Sequence, residues 1–219
     1  MNRWYTVAAL MAVMFGIAYA TSSTPLEIVA SATGLLSVWW TARQNIWCWP
    51  VGLISVVCFF FMFYEVKLYA DMTLQIFFFA LSIQGWVVWL TKRGAASVRP
   101  TTRITGRLGL WLAVFLIAAT GGWGYWLANH TDASIPYMDA FVAILSIAAQ
   151  FLLSAKKLES WYFWIAVDVL SIGMYAYKEL YTFSFLYVIF LGIAIAGLVG
   201  WKREFERRGS AGAEAAVSR

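Results

Sequence analysis

Three observations predict an all-α integral membrane protein with eight transmembrane helices. The 219 residues are 62% hydrophobic and only 12% charged, against about 45–50% and 25% in soluble domains, so polar side chains are too few to coat a water-facing surface. The apolar residues gather into eight runs, each near the roughly 17–25 residues that a bilayer-crossing helix needs. With eight crossings, fourteen of the sixteen Lys and Arg residues fall on the amino-terminal side and only Lys67 and Lys178 fall opposite. The positive-inside rule then places both termini in the cytoplasm.

The first run, 4–20, follows Arg3 and ends in Ala18-Tyr19-Ala20, which also suits a signal peptide. Its apolar stretch exceeds the usual span of about 7–15 residues for such a segment, so it reads as a retained helix. The next runs are 28–42, 47–64 and 73–90, followed by 108–128, and then by 138–154, 161–177 and 183–200. Runs 28–42 and 138–154 are short enough to leave buried or interfacial helices open. From Lys202 the composition turns to Arg, Glu, Gly, Ala and Ser, a solvated cytosolic tail.

Sliding the chain on itself by 112 residues superposes Leu74 on Leu186, Phe78 on Phe190, Gly85 on Gly197 and Trp89 on Trp201. Upstream the letters suggest a shift of 114, pairing Trp47 with Trp161 and Arg43 with Lys157. The organisation expected is therefore 1+3+1+3. An extra amino-terminal helix and outer loop (1–27) precede a first three-helix repeat (28–93). A linker with one transmembrane helix (94–136) leads to a second repeat (137–201) and the tail (202–219). One helix between two triplets makes the repeats parallel, an arrangement that binds substrate near the midplane at the repeat interface.

Several function classes are disfavoured. Cys48 and Cys58 lie ten residues apart in one run, about 15 Å along a helix, beyond disulfide reach. His130 is the single histidine and falls in an expected outer loop, with no Cys/His metal set, H-E-x-x-H or phosphate-binding glycine loop beside it. Asp139 reads as a helix-terminal carboxylate. No catalytic residue, metal or cofactor is expected. The net charge of +5 sorts by membrane side rather than into a water-facing patch, so nucleic acid is not an expected partner.

Asp168 is the charge that falls well inside a run. A carboxylate there costs at least about 2.5–3.5 kcal/mol on insertion scales, so it must face a partner or a wet cavity. The group sits there either ionised or protonated. Trp161, Trp164, Asp168, Ser171 and Tyr175 recur at steps of three and four, which places acid and aromatics on one helical face. A purely structural reading instead bonds Asp168 to a neighbouring Tyr, Ser or Trp. Gln75, Ser82, Trp86 and Trp89 share a face of the earlier helix, and the repeat counterparts of Gln75 and Ser82 are Tyr187 and Ala194. Asn45 and Trp47 stand at the inner end of the third run, where an interfacial aromatic belt also explains the Trp. The candidate substrate-binding residues are thus Asp168, Trp164, Trp161, Gln75, Trp86, Ser82, Tyr175, Asn45, Trp47 and Tyr187. Rings beside a carboxylate suit a flat organic cation, with cation–π attraction of about 2 kcal/mol when desolvated. Gln and Ser would hold sugar hydroxyls.

The chain resembles the PnuC-type vitamin transporters through Arg43, Asn45, Trp47 to Gly52, Leu68-Tyr69-Ala70-Asp71, Leu74-Gln75, Gly85-Trp86 and Trp89. Glu159-Ser160-Trp161, Trp164, Val167-Asp168-Val169, Lys178 to Tyr181 and Leu186-Tyr187 carry the likeness in the second copy. The resemblance implies a three-plus-one-plus-three helix core, a full-length relative of the SWEET architecture, in the bacterial inner membrane. It implies uptake of nicotinamide riboside by facilitated diffusion with trapping by cytosolic phosphorylation, and a homo-oligomer, known as a trimer in the family. Relatives on this framework carry thiamine or riboflavin. A proton-coupled symporter is a further reading of Asp168.

Overall fold

The computed structural model describes residues 24–65, 69–91, 97–131, 134–179 and 181–217. The expected helix at 4–20 lies outside them. Seven α-helices are described: α1 (Pro25–Ala42), α2 (Cys48–Glu65), α3 (Tyr69–Leu90), α4 (Gly106–His130), α5 (Pro136–Ser154), α6 (Ser160–Tyr177) and α7 (Tyr181–Val217). Five contain a stretch long and apolar enough to cross a membrane, in α2, α3, α4, α5 and α7. The 18-residue α1 and α6 are less apolar: α1 carries Glu27, and α6 carries Asp168 among five Trp and Tyr of its own. His130, expected in a loop, is the last residue of α4 because its helix runs two residues beyond the apolar run.

Local sequence accounts for the helix ends. Thr24 and Glu27 form a reciprocal capping box at 2.9 and 3.3 Å, with Pro25 in the first turn. Thr105 caps α4 by accepting from the Leu108 amide. Helices α1 and α5 are each followed, two residues past their last, by a left-handed residue, Gln44 (φ 56°) and Lys156 (φ 58°). In each, that residue's amide and the next close back on the last turn: Gln44 to Thr41 and Asn45 to Trp40, Lys156 to Leu153 and Lys157 to Leu152, all at 2.9–3.0 Å.

From the last turn of α1 to the start of α3, these local structures recur at a shift of 112. Helix ends at Ala42 and Ser154, starts at Cys48 and Ser160, ends at Glu65 and Tyr177, and starts at Tyr69 and Tyr181 all coincide. The shift of 114 read from the letters upstream is thereby corrected. The two connections have equal length, so Trp49, not Trp47, stands where Trp161 does, and Asn45, not Arg43, stands where Lys157 does.

The chain divides into two compact units, Met1–Trp86 and Val87–Arg219. In the first, α1 and α2 approach closely over small residues. Ser55 donates to the Ala30 carbonyl and Ser37 to the Cys48 carbonyl, both at 2.7 Å. A Cβ on Gly34 or Gly52 would lie 2.8 or 2.7 Å from those serine hydroxyls, so these glycines allow the approach that lipid-embedded helices need to associate. The Trp49 ring lies on Gly85.

In the second unit α5 is the central element, with Ala140, Leu145, Ala148, Ala149 and Leu152 buried. Leu112, Ala148 and Leu152 form one apolar cluster, and Val142, Leu145 and Val167 form another. The Trp161 ring lies on Gly197. A strap ahead of α4 is laced to the α5–α6 connection. Thr102 exchanges backbone hydrogen bonds with Lys156 and Leu158 at 3.1 and 2.9 Å, while Glu159 accepts from Arg103 Nε and the Ile104 amide at 3.0 Å. The tail expected to be solvated is helical as far as Val217, helped by Glu204 pairing with Arg207 and Arg208 at 3.0 and 2.6 Å.

A Cβ on Gly197 would sit 2.5 Å from the Trp161 ring, whereas one on Gly173 meets nothing within 4 Å. Gly197→Ala should therefore cost about 1–3 kcal/mol by overpacking, and Gly173→Ala should be neutral, as read by thermal unfolding in detergent.

Candidate functional site

The buried face of α6 carries Trp161, Asp168 and Ser171, with Trp164 and Tyr175 half-buried beside them. Asp168 is 4% exposed. Helix α7 completes the surroundings through Tyr187, whose ring stacks on Tyr175 with centroids 5.3 Å apart and meets Phe190 edge-on at 5.9 Å. The Tyr187 hydroxyl has Tyr175, Asp168 and Ser171 as its electrostatic neighbours. Trp164, Met174 and Tyr187 all pack against the Val142, Leu145 and Val167 cluster. One acid, a buried hydroxyl, two phenols and an indole thus gather around an apolar wall, the composition of a small-molecule site.

Trp161, on the same stripe, is two turns away, about 10 Å along the helix. It is 1% exposed, and its ring is engaged by Gly197 and, edge-on at 5.5 Å, by Trp201. In the first unit, Gln75 and Ser82 are buried seven residues apart on one face of α3, and Trp86 is exposed at its rim. Asn45 folds back on the chain, its Oδ1 accepting from the Trp47 amide at 3.0 Å. Trp47 is 62% exposed, the placement of an interfacial anchor. Asp139, read as a helix-terminal carboxylate, stands in the first turn of α5 and also accepts from Lys178 Nζ at 2.7 Å, joining α5 to the end of α6.

A further cluster escaped the sequence reading. Lys156, expected among the loop charges, is 0% exposed, and its ammonium lies 3.4 Å from the Trp89 ring centroid and 4.4 Å from that of Trp201. The clue was present in Trp89 and Trp201, which stand 112 residues apart.

A family model described as nicotinamide mononucleotide transporter matches residues 24–203. The nicotinamide riboside transporter PnuC of Escherichia coli (strain K12) is 28% identical over 84% of this chain and 88% of its own. The protein of that name from Neisseria mucosa is 27% identical over 83% and 73%. The riboflavin/roseoflavin transporter RibM of Streptomyces davaonensis is 26% identical over 80% and 83%. The crystal structure of the vitamin B3 transporter PnuC superposes with a TM-score of 0.74 at 23% identity, covering 94% of each chain.

A carboxyl kept for a ligand is a burden on the empty fold. Asp168→Leu removes an insertion cost of about 2.5–3.5 kcal/mol and should melt above the wild type in detergent. A lower melting temperature would assign the carboxyl to holding helices together.

Proposed function

The chain belongs to the nicotinamide mononucleotide transporter family, and on that premise we propose that it carries nicotinamide riboside across the cytoplasmic membrane of a bacterium by facilitated diffusion. The observation that carries this reading is Asp168, buried among Ser171, Tyr175, Tyr187 and Trp164. A pyridinium ring is a flat cation: the carboxylate offsets its charge and the aromatic rings stack on it. The ribose offers hydroxyls to the serine and phenol groups. Gln75 and Ser82, buried on one face of α3, serve as further polar contacts in this reading, with Trp161, Trp86, Asn45 and Trp47 supporting the walls and the inner mouth.

Facilitated diffusion only equalises concentrations, so a cytosolic phosphorylation that consumes the nucleoside sustains net uptake. Eight helices in a 1+3+1+3 order, both termini in the cytoplasm and a homotrimeric assembly belong to the same proposal. The matching bounds at a shift of 112 and the inner-side gathering of Lys and Arg support its first two parts.

Thiamine is the second reading, because it too is a flat cation and satisfies Asp168 equally. Riboflavin, named for the Streptomyces relative, is neutral and larger and gives the carboxylate nothing to balance. Calorimetry on the purified protein separates them: nicotinamide riboside should bind at micromolar affinity or tighter, and thiamine should give no heat. Asp168→Asn should weaken that binding tenfold or more, about 1.4 kcal/mol, and Asp139→Asn less than twofold. Equal affinities in all three proteins would remove Asp168 from the site.

A further inference from the structure

Lys156 occupies a cage of indoles. Trp89 and Trp201 meet edge to face at 5.6 Å with the ammonium beside both rings, and Trp161 meets Trp201 edge to face at 5.5 Å. The Trp89 indole N–H donates to the Leu153 carbonyl at 3.1 Å. The strap ahead of α4 holds two of the cage residues by their backbones. The Arg99 amide donates to the Trp89 carbonyl at 2.7 Å, and the Thr102 amide to the Lys156 carbonyl at 3.1 Å. The last turn of α3, the α5–α6 connection and α7 thus converge on one charged nitrogen.

As adhesive, this is a poor choice. A buried charge carries a desolvation penalty that an apolar side chain of similar volume escapes. What the ammonium offers is reversibility: the four-carbon stem lets the charge leave the rings for water while the stem stays against apolar surface. The equivalent loop in the first unit has the same left-handed backbone at Gln44 (φ 56°), yet that side chain is uncharged and half-buried. The charge is therefore not demanded by the loop's conformation.

Resting on the transport reading above, we propose that Lys156 is a positioning residue for transport, a latch whose ammonium ties the last turn of α3 to α7 in one transport state and swings out to the inner aqueous side in another. Wild-type protein in liposomes is first assayed for uptake of nicotinamide riboside, thiamine and riboflavin. An amine-reactive label, read by peptide mass spectrometry, should modify Lys156 at least fivefold more during uptake than without substrate, with Lys157 labelled alike in both.

Lys156→Met should bind the same vitamin within threefold of wild type, melt no lower, and take it up at least tenfold more slowly, and Lys156→Arg should recover most of the rate. Unchanged labelling during uptake, wild-type uptake by Lys156→Met, or parallel loss of its binding and melting temperature overturns the latch. If Lys156→Met does not fold, the labelling of the wild type decides. Uptake of thiamine in place of nicotinamide riboside overturns the substrate reading alone, and the latch is then judged with thiamine. Uptake of none of the three overturns both.

Discussion

Close approach of helices over glycine is the constraint on which the second unit depends. Lipid tails are as apolar as the side chains they would displace, so helices associate by van der Waals fit rather than by escape from water. The Trp161 ring seated on Gly197 supplies that fit between α6 and α7. With the two helices held at that point, Asp168 and Tyr175 on one and Tyr187 on the other reach a common neighbourhood. Trp161 thus shapes the site from two turns away, and a contact made for packing fixes where the polar groups stand.

Helix bounds from Ala42 to Tyr69 coincide with those from Ser154 to Tyr181 at a shift of 112, but the contents differ. In α1 and α2, Ser37, Ser55, Gly34 and Gly52 draw the helices together. At a shift of 112 the residues facing those roles are Ala149, Val167, Ser146 and Trp164, and Asp168 replaces Val56. The second segment therefore gives up serine-to-carbonyl ties and gains an indole and an acid.

Much of the fold was legible because lipid imposes simple rules. Apolar runs marked the described helices to within a few residues at most ends, and the stripe from Trp161 to Tyr175 follows from helical periodicity alone. What failed was non-local. Lys156 and Lys157 are the same letter side by side, yet one is enclosed by indoles from α3 and α7 while the other donates to the Arg103 carbonyl at 3.1 Å. Nothing within a few residues distinguishes them. Likewise Trp47 and Trp49 are interchangeable as letters, and the helix bounds, the left-handed turn at Gln44 and the seat of Trp49 on Gly85 show which one answers to Trp161. The polar composition of the tail gave no sign of a helix, and pairs such as Glu204 with Arg208 sustain one without any core.

Helix α7 has 37 residues, about 55 Å at 1.5 Å per residue, while a bilayer's hydrocarbon layer is about 30 Å thick. Roughly 25 Å of helix therefore exceeds what the oily layer needs, on the same helix that bears Tyr187 and Trp201. A lever of that kind converts small tilts near the membrane centre into much larger sweeps at its tip. A spectroscopic tag mounted there would register rocking of the axis that a tag on a slack tail would average away.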